Sequence, residues 1–210
     1  MSLSSNRSPI TLYARPGHPH GHCIRLVLAE KGIAGINIVE VAEGSVSEDL
    51  LDLNPYNSLP TLADRDLALY DPRTIVEYLD ERFPHPPLMP VDPAMRARHR
   101  LALCRMDLDL YSLAGEFDGS SAQLRKARKR MRELLTNLAA DFTGRRYLGD
   151  DFSLVDCSLA PILWRLEHYG VELPPGCGRK FGEYARRVFR RPAFAASLTQ
   201  TEAEMGASWA

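Results

Sequence analysis

The chain has 210 residues, enough for one large or two small domains. Lys and Arg number 26 against 27 Asp and Glu, a formal net charge of −1, so no bulk charge draws it toward nucleic acid or an anionic membrane. No apolar run nears the ~18 residues that a membrane-spanning helix needs, and Met1–Pro9 is polar with no secretory core.

Ile10-Thr11-Leu12-Tyr13 alternates weakly and predicts a first strand. Ala14–His22, rich in Pro, Gly and His, reads as a loop. Ile24, Leu26, Val27, Leu28 and Ala29 give a helical apolar face ending at Gly32, a suitable C-cap. Ile36, Ile38, Val39 and Val41 predict a buried strand, so the first half is a strand–helix–strand unit with a parallel crossover. A short helix over Ser47–Leu53 follows.

Asn54–Leu62, Asn-Pro-Tyr-Asn-Ser-Leu-Pro-Thr-Leu, is the stretch around which this half is organised. A proline at the first position of a strand cannot donate to the ladder. Either Pro60 sits in a surface loop with a trans bond, or a cis Leu59-Pro60 bond turns a corner into the strand. The cis form would leave the backbone N–H and C=O of Leu59 as a spare edge for a peptide-like ligand. Thr61-Leu62-Ala63 and Leu67-Ala68-Leu69-Tyr70, split by Asp64-Arg65-Asp66, predict a hairpin. Asp71-Pro72 supplies an N-cap and a first-turn proline for a helix ending near Phe83. Residues 9–83 thus make one βαβ–ββα domain.

Residues 84–92 form a linker stiffened by Pro84, Pro86, Pro87 and Pro90, whose φ angles are fixed. Residues 93–205 read as an all-helical domain. One helix runs from Pro93 to about Phe117, and a second from Ala122 to about Phe142 after the break at Asp118–Ser121. Ser153-Leu154-Val155-Asp156 is an acidic variant of the capping box, with Phe152 as a staple, and opens a helix over Cys157–Tyr169. Phe181, Tyr184, Val188 and Phe189 mark a last helix before Arg191-Pro192. Cys23, Cys104, Cys157 and Cys177 contain no CxxC pair, which fits reduced thiols in a cytoplasmic protein.

A thioredoxin-like α/β domain, a proline linker and an all-α domain opened by Ser-x-x-Asp resemble the glutathione transferase architecture. A narrower set is similar to the stringent starvation protein A family: Val27–Gly32, Asp52–Pro55, the run Glu77–Pro90, and Phe152–Cys157. That family is bacterial and associates with RNA polymerase. The resemblance implies a homodimeric transcription regulator of the stress response, with no catalytic residue and no cofactor. It implies contacts to the sigma and core subunits of the holoenzyme, with Pro84, His85 and Pro86 part of the docking pocket. It also implies that the first domain of one subunit pairs with the helices of the other.

Glutathione transferase chemistry needs a hydroxyl or thiol after the first strand and an acidic-Ser pair opening the third helix, whose side chain and N–H hold a carboxylate. Here the pair reads Asp71-Pro72, and proline has neither donor. At ~1–3 kcal/mol for a lost partner of a charged group, glutathione affinity falls by one to several orders of magnitude. Arg15–His22 holds no Ser, Thr, Cys or Tyr, leaving Tyr13 as the nearby hydroxyl. Tyr13, Leu59, Pro60, Asp71 and Pro72 are therefore read as vestigial glutathione-site positions. The alternative is a glutathione-dependent transferase or isomerase using Tyr13 and the Leu59-Pro60 cleft.

His18, His20 and His22 could bind Zn²⁺ or Ni²⁺, but no second cluster supplies fixed ligands, so they read as a polar loop without metal. Cys23 sits near a helix N-terminus, where a thiol pKa can fall; without a partner cysteine it reads as a core or edge thiol. The densest basic run, Arg125–Arg132, is read as a solvated helix face or a contact for an acidic protein surface. No recognisable motif points to direct sequence-specific reading of nucleic acid.

Overall fold

The computed structural model describes residues 10–42, 44, 48–140 and 146–206. The first domain holds β1 (Thr11–Ala14), α1 (Pro19–Glu30), β2 (Asn37–Glu40), α2 (Glu48–Leu53), β3 (Thr61–Asp64), β4 (Leu67–Leu69) and α3 (Pro72–Arg82). The sheet order is β2-β1-β3-β4. β1 pairs parallel with β2 and antiparallel with β3, with Tyr13 opposite Val39 and Thr61. β3 and β4 form the expected hairpin, turning through Arg65 at φ 61°.

β2 departs from the sequence reading. It is an edge strand with one neighbour, and Asn37, Ile38 and Glu40 are exposed, with Ile38 at 44%. The apolar residues predict a buried strand, but among the described strands β2 pairs with β1 alone, so its other edge is left open. Ser47, the expected start of α2, lies outside the described residues.

The helical half holds α4 (Pro93–Asp109), a 3₁₀ stretch over Tyr111–Asp118, α5 (Ser121–Ala140), α6 (Leu154–Trp164), α7 (Leu166–Tyr169), α8 (Pro175–Phe189), α9 (Pro192–Ser197) and α10 (Gln200–Met205). Phe142, the expected end of α5, lies outside the described residues. Every residue of α6 is buried, so this helix is the axis of the domain. At its start the buried Asp156 accepts from Ser153 N–H at 2.9 Å and from the Tyr184 hydroxyl at 2.9 Å. Phe152 is buried against the Arg191 guanidinium, 3.9 Å from its ring centroid.

The helix expected over Cys157–Tyr169 breaks at Arg165. There the Arg165 guanidinium, not its backbone N–H, takes the Pro161 carbonyl at 2.9 Å, and the N–H turns back to Ile162 at 3.2 Å. The helices α9 and α10 were not expected. The signal for α10 was a second capping box, Thr199–Glu202, and that for α9 a first-turn proline, Pro192. α1 is the element shared by both halves, packing on α3, α6 and α9.

Candidate functional site: an anchored proline turn and a filled cleft

The turn after α3 combines exposure with anchorage. Pro84, His85, Pro86 and Pro87 are exposed, while Leu88 and Met89 are buried in the core. Phe83 caps α3 through its N–H to Leu79 O at 3.1 Å. Beneath the turn, the buried ammonium of Lys31 donates to Asp80 Oδ1 and to the Pro86 carbonyl, both at 2.5 Å. The same Asp80 oxygen accepts the Leu88 N–H at 2.8 Å. The Leu88 carbonyl in turn accepts the Leu154 N–H at 2.9 Å, tying the turn to the start of α6. Both flanks of Pro86-Pro87 are thus held by one buried ion pair, and His85 projects from a fixed base. The His85-Pro86 peptide is cis. Sequence reasoning singled out Pro84, His85 and Pro86 and gave no role to Lys31 and Asp80. Lys31 sat in a helix-end motif and gave no sign of burial.

The five cleft positions lie around the start of β3 and the end of β4. Tyr13 is half-buried on β1, opposite Thr61, the residue after Pro60, so Tyr13 and the Leu59-Pro60 corner are neighbours. The Leu59-Pro60 peptide is cis. Its loop is organised by the fully buried Asn54, whose Nδ2 donates to Ser58 O, Ser58 Oγ and Thr61 Oγ1, all at 3.0 Å. In the sequence Asn54 is only the opening residue of this stretch.

Asp71 and Pro72 follow closely on β4, whose Leu69 pairs with Leu62, two residues from Pro60. The Asp71 carboxylate is engaged as an N-cap, accepting from Thr74 N–H and Thr74 Oγ1 at 2.8 Å each. Pro72 lines a cleft between the two halves with His20, Cys23, Asp107, Tyr111 and Ser158. The free space there is about 20 Å³. That admits roughly one water, far below the ~300 Å³ lower bound of small-molecule sites.

The histidines are not in a loop. α1 begins at Pro19, a residue suited to a first turn, with His18 as N-cap accepting the His20 N–H at 3.3 Å. The His18 and His20 rings lie 5.2 Å apart between centroids, but the three side chains take different partners. His20 bonds Asp107 of α4 at 2.9 Å and stacks on Tyr111 at 4.3 Å between centroids. His22 is fully buried, bonded to Ser197 Oγ and to the Arg165 guanidinium, each at 3.0 Å. Burial first, then neighbouring His20, Arg15 and Arg165, pulls the His18 imidazole down to about 3. Burial and the Arg165 and Arg25 charges hold His22 well below its ordinary value. The hydrogen bond from His20 lowers the Asp107 carboxyl.

Cys23 likewise does not open the helix; it is the fifth residue of α1 and buried, and burial pushes its thiol up to about 12. A thiol so placed is not a nucleophile near neutral pH.

Behind α1, the buried Glu202 of α10 is clasped by two guanidinium groups. It pairs with Arg165 at 2.6 Å and with Arg25. Arg165 also donates to Gly17 O at 3.0 Å, and Arg25 to Ser197 O at 2.9 Å. The last helices therefore lock onto the start of α1 through charge as well as packing.

The α/β unit with a cis proline before β3, followed by a helical unit around a capped central helix, defines a protein of the glutathione transferase fold. Residues 12–87 match the family model of the glutathione S-transferase N-terminal domain and residues 120–196 that of the C-terminal domain. The structure of rice GST1 in complex with glutathione superposes with a TM-score of 0.81 at 26% identity, over 95% of this chain and 96% of that one. Within that fold the curated relatives are more specific. The stringent starvation protein A homolog of Coxiella burnetii is 45% identical over 95% of this chain and 96% of its own length. That of Haemophilus ducreyi is 42% identical over 94% of each. The chain belongs to the stringent starvation protein A family.

Proposed function

We propose that this protein is a cytoplasmic regulator that binds RNA polymerase holoenzyme, sigma and core, through the surface around Pro84-His85-Pro86, and carries out no transferase chemistry. The observation that carries the reading is the turn itself. Three exposed residues are fixed from below by Lys31 and Asp80, so little ordering entropy is lost when a partner lands on them. The mechanism is adhesive: a rigid surface docks on the polymerase and alters promoter use under stress. The missing donors at Pro72 and the single-water space beside it weigh against glutathione as a substrate.

The protein acts as a homodimer in this reading. α4 is apolar on both sides: Leu103, Met106 and Leu110 face the core. Ala94, Ala97, Leu101 and Leu108 are exposed and recur three and four residues apart, with half-buried Cys104 between the two leucines. Leu101 is 62% and Leu108 68% exposed, and a helix apolar on two faces needs cover on both. On the first domain, Tyr56 and Tyr70 are also exposed, 5.6 Å apart between rings. A second copy supplies the cover. Light scattering that returned a monomer contradicts this.

Holoenzyme from the same bacterium, passed over immobilised protein, is expected to be retained by wild type and lost with His85→Ala. Retention on glutathione–agarose together with turnover would instead favour the transferase or isomerase reading through Tyr13 and the Leu59-Pro60 edge.

A further inference from the structure

The net charge of −1 conceals a partition. Residues 9–92 carry 13 Asp and Glu against 6 Lys and Arg, while residues 93–210 carry 19 Lys and Arg against 14 Asp and Glu. The densest part of that excess lies on α5. Between 125 and 132, Ala127 and Met131 are buried, and Arg128 is half-buried and turned inward to the Tyr169 carbonyl at 2.7 Å. The exposed positions are Arg125, Lys126, Lys129, Arg130 and Arg132, every one a cation. At about 100° per residue these five occupy an arc of roughly 160°, which is the whole outward face of the helix over two turns. Among the described residues the nearest carboxylates are Glu133, 4.0 Å from Arg130, and Glu116, which shares a groove with Lys126, Lys129 and Arg130.

From this face we infer a binding surface for the phosphate backbone of duplex DNA, engaged without regard to sequence. Three features choose that occupant. Arg125 to Arg132 spans about 10 Å of helix axis, along which a duplex presents roughly six phosphate charges, so five cations nearly match them. The exposed arc holds no aromatic or aliphatic side chain, so it lacks both the anchors of a protein hot spot and the stacking platforms of a single-strand binder. It also lacks the Asn, Gln or Ser side chains that, with arginine, read base edges, which leaves positioning contacts alone. The acidic first domain repels a duplex, so DNA approaches from the α5 side. The absence of a DNA-reading motif excludes sequence recognition, not this contact.

Fluorescence anisotropy with a labelled duplex of unrelated sequence tests the inference. Wild type is expected to bind at low salt, with log affinity falling against log salt at a slope of about −4. The variant Arg125→Gln/Lys129→Gln/Arg132→Gln is expected to bind at least ten-fold more weakly, with a slope shallower by about 3. A control, Arg179→Gln/Arg186→Gln/Arg190→Gln, removes the same charge from exposed positions of α8 and its end and is expected to stay within about three-fold of wild type. Three results overturn the inference: no duplex binding at low salt, equal loss in both variants, or binding of polyglutamate as tight as that of the duplex. The last reassigns the face to an acidic protein.

Discussion

At the Pro84–Pro87 turn, a charged pair lies below the surface, and prolines and a histidine lie above it. In the cleft beside Pro72, the hydrogen-bonded His20 and Asp107 and the Tyr111 ring line the opening itself. At the turn the polar groups are buried and support an exposed surface, while in the cleft they are half-buried and leave room for about one water. The difference teaches that the retained cis-proline corner, built on Asn54 and Thr61, is scaffold as much as site.

The comparison can be broken at its supports. Lys31→Met leaves the Asp80 carboxylate buried without its cation, and unfolding free energy is expected to fall by ~3–5 kcal/mol. Denaturant titration measures it, and Lys31→Met/Asp80→Leu should recover much of the loss. A small effect from the single variant means that the turn is not held from below.

Acid tests the other side. His18 and His22 have folded pKa values below the unfolded value, so the unfolded chain binds more protons as pH drops under 6.5. Their contribution is complete above 6.5 and is lost as pH falls toward the folded values. Between pH 7.5 and 5.5 the His18 imidazole should cost about 1.4 kcal/mol, and His22 should add to the loss in the same direction. His22→Gln should make the slope shallower in urea titrations at the two pH values.

Pro72→Ser sharpens the contrast further. It restores one hydroxyl and one N–H at the start of α3 but does not enlarge the cleft. Calorimetry should show glutathione affinity unchanged within about ten-fold, and stability lower by ~0.5–1 kcal/mol because the first-turn proline is gone. A large gain in affinity would show that the donors alone had closed the site.

Pro60, Asp71-Pro72, Ser153–Asp156 and the run through Pro90 were legible in the sequence because turns, caps and prolines act locally. The positions that organise the candidate site were not. Lys31, Asp80, Arg165 and Glu202 are charged residues, which composition places on the surface, and their burial depends on partners 37 to 55 residues away or more. β2 failed for the opposite reason, since its apolar pattern does not say that it lies at a sheet edge. Net charge failed through averaging, because an acidic half and a basic half cancel.

The smallest stability effect belongs to the most informative variant. His85→Ala removes an exposed ring and should shift unfolding by less than about 0.5 kcal/mol. The decisive measurement is the affinity of RNA polymerase holoenzyme for wild type and His85→Ala, each checked for an unchanged unfolding midpoint. The account predicts a loss of at least ~30-fold, the scale of a hot-spot residue. Equal affinities on equally folded proteins would contradict it and move the contact away from the turn.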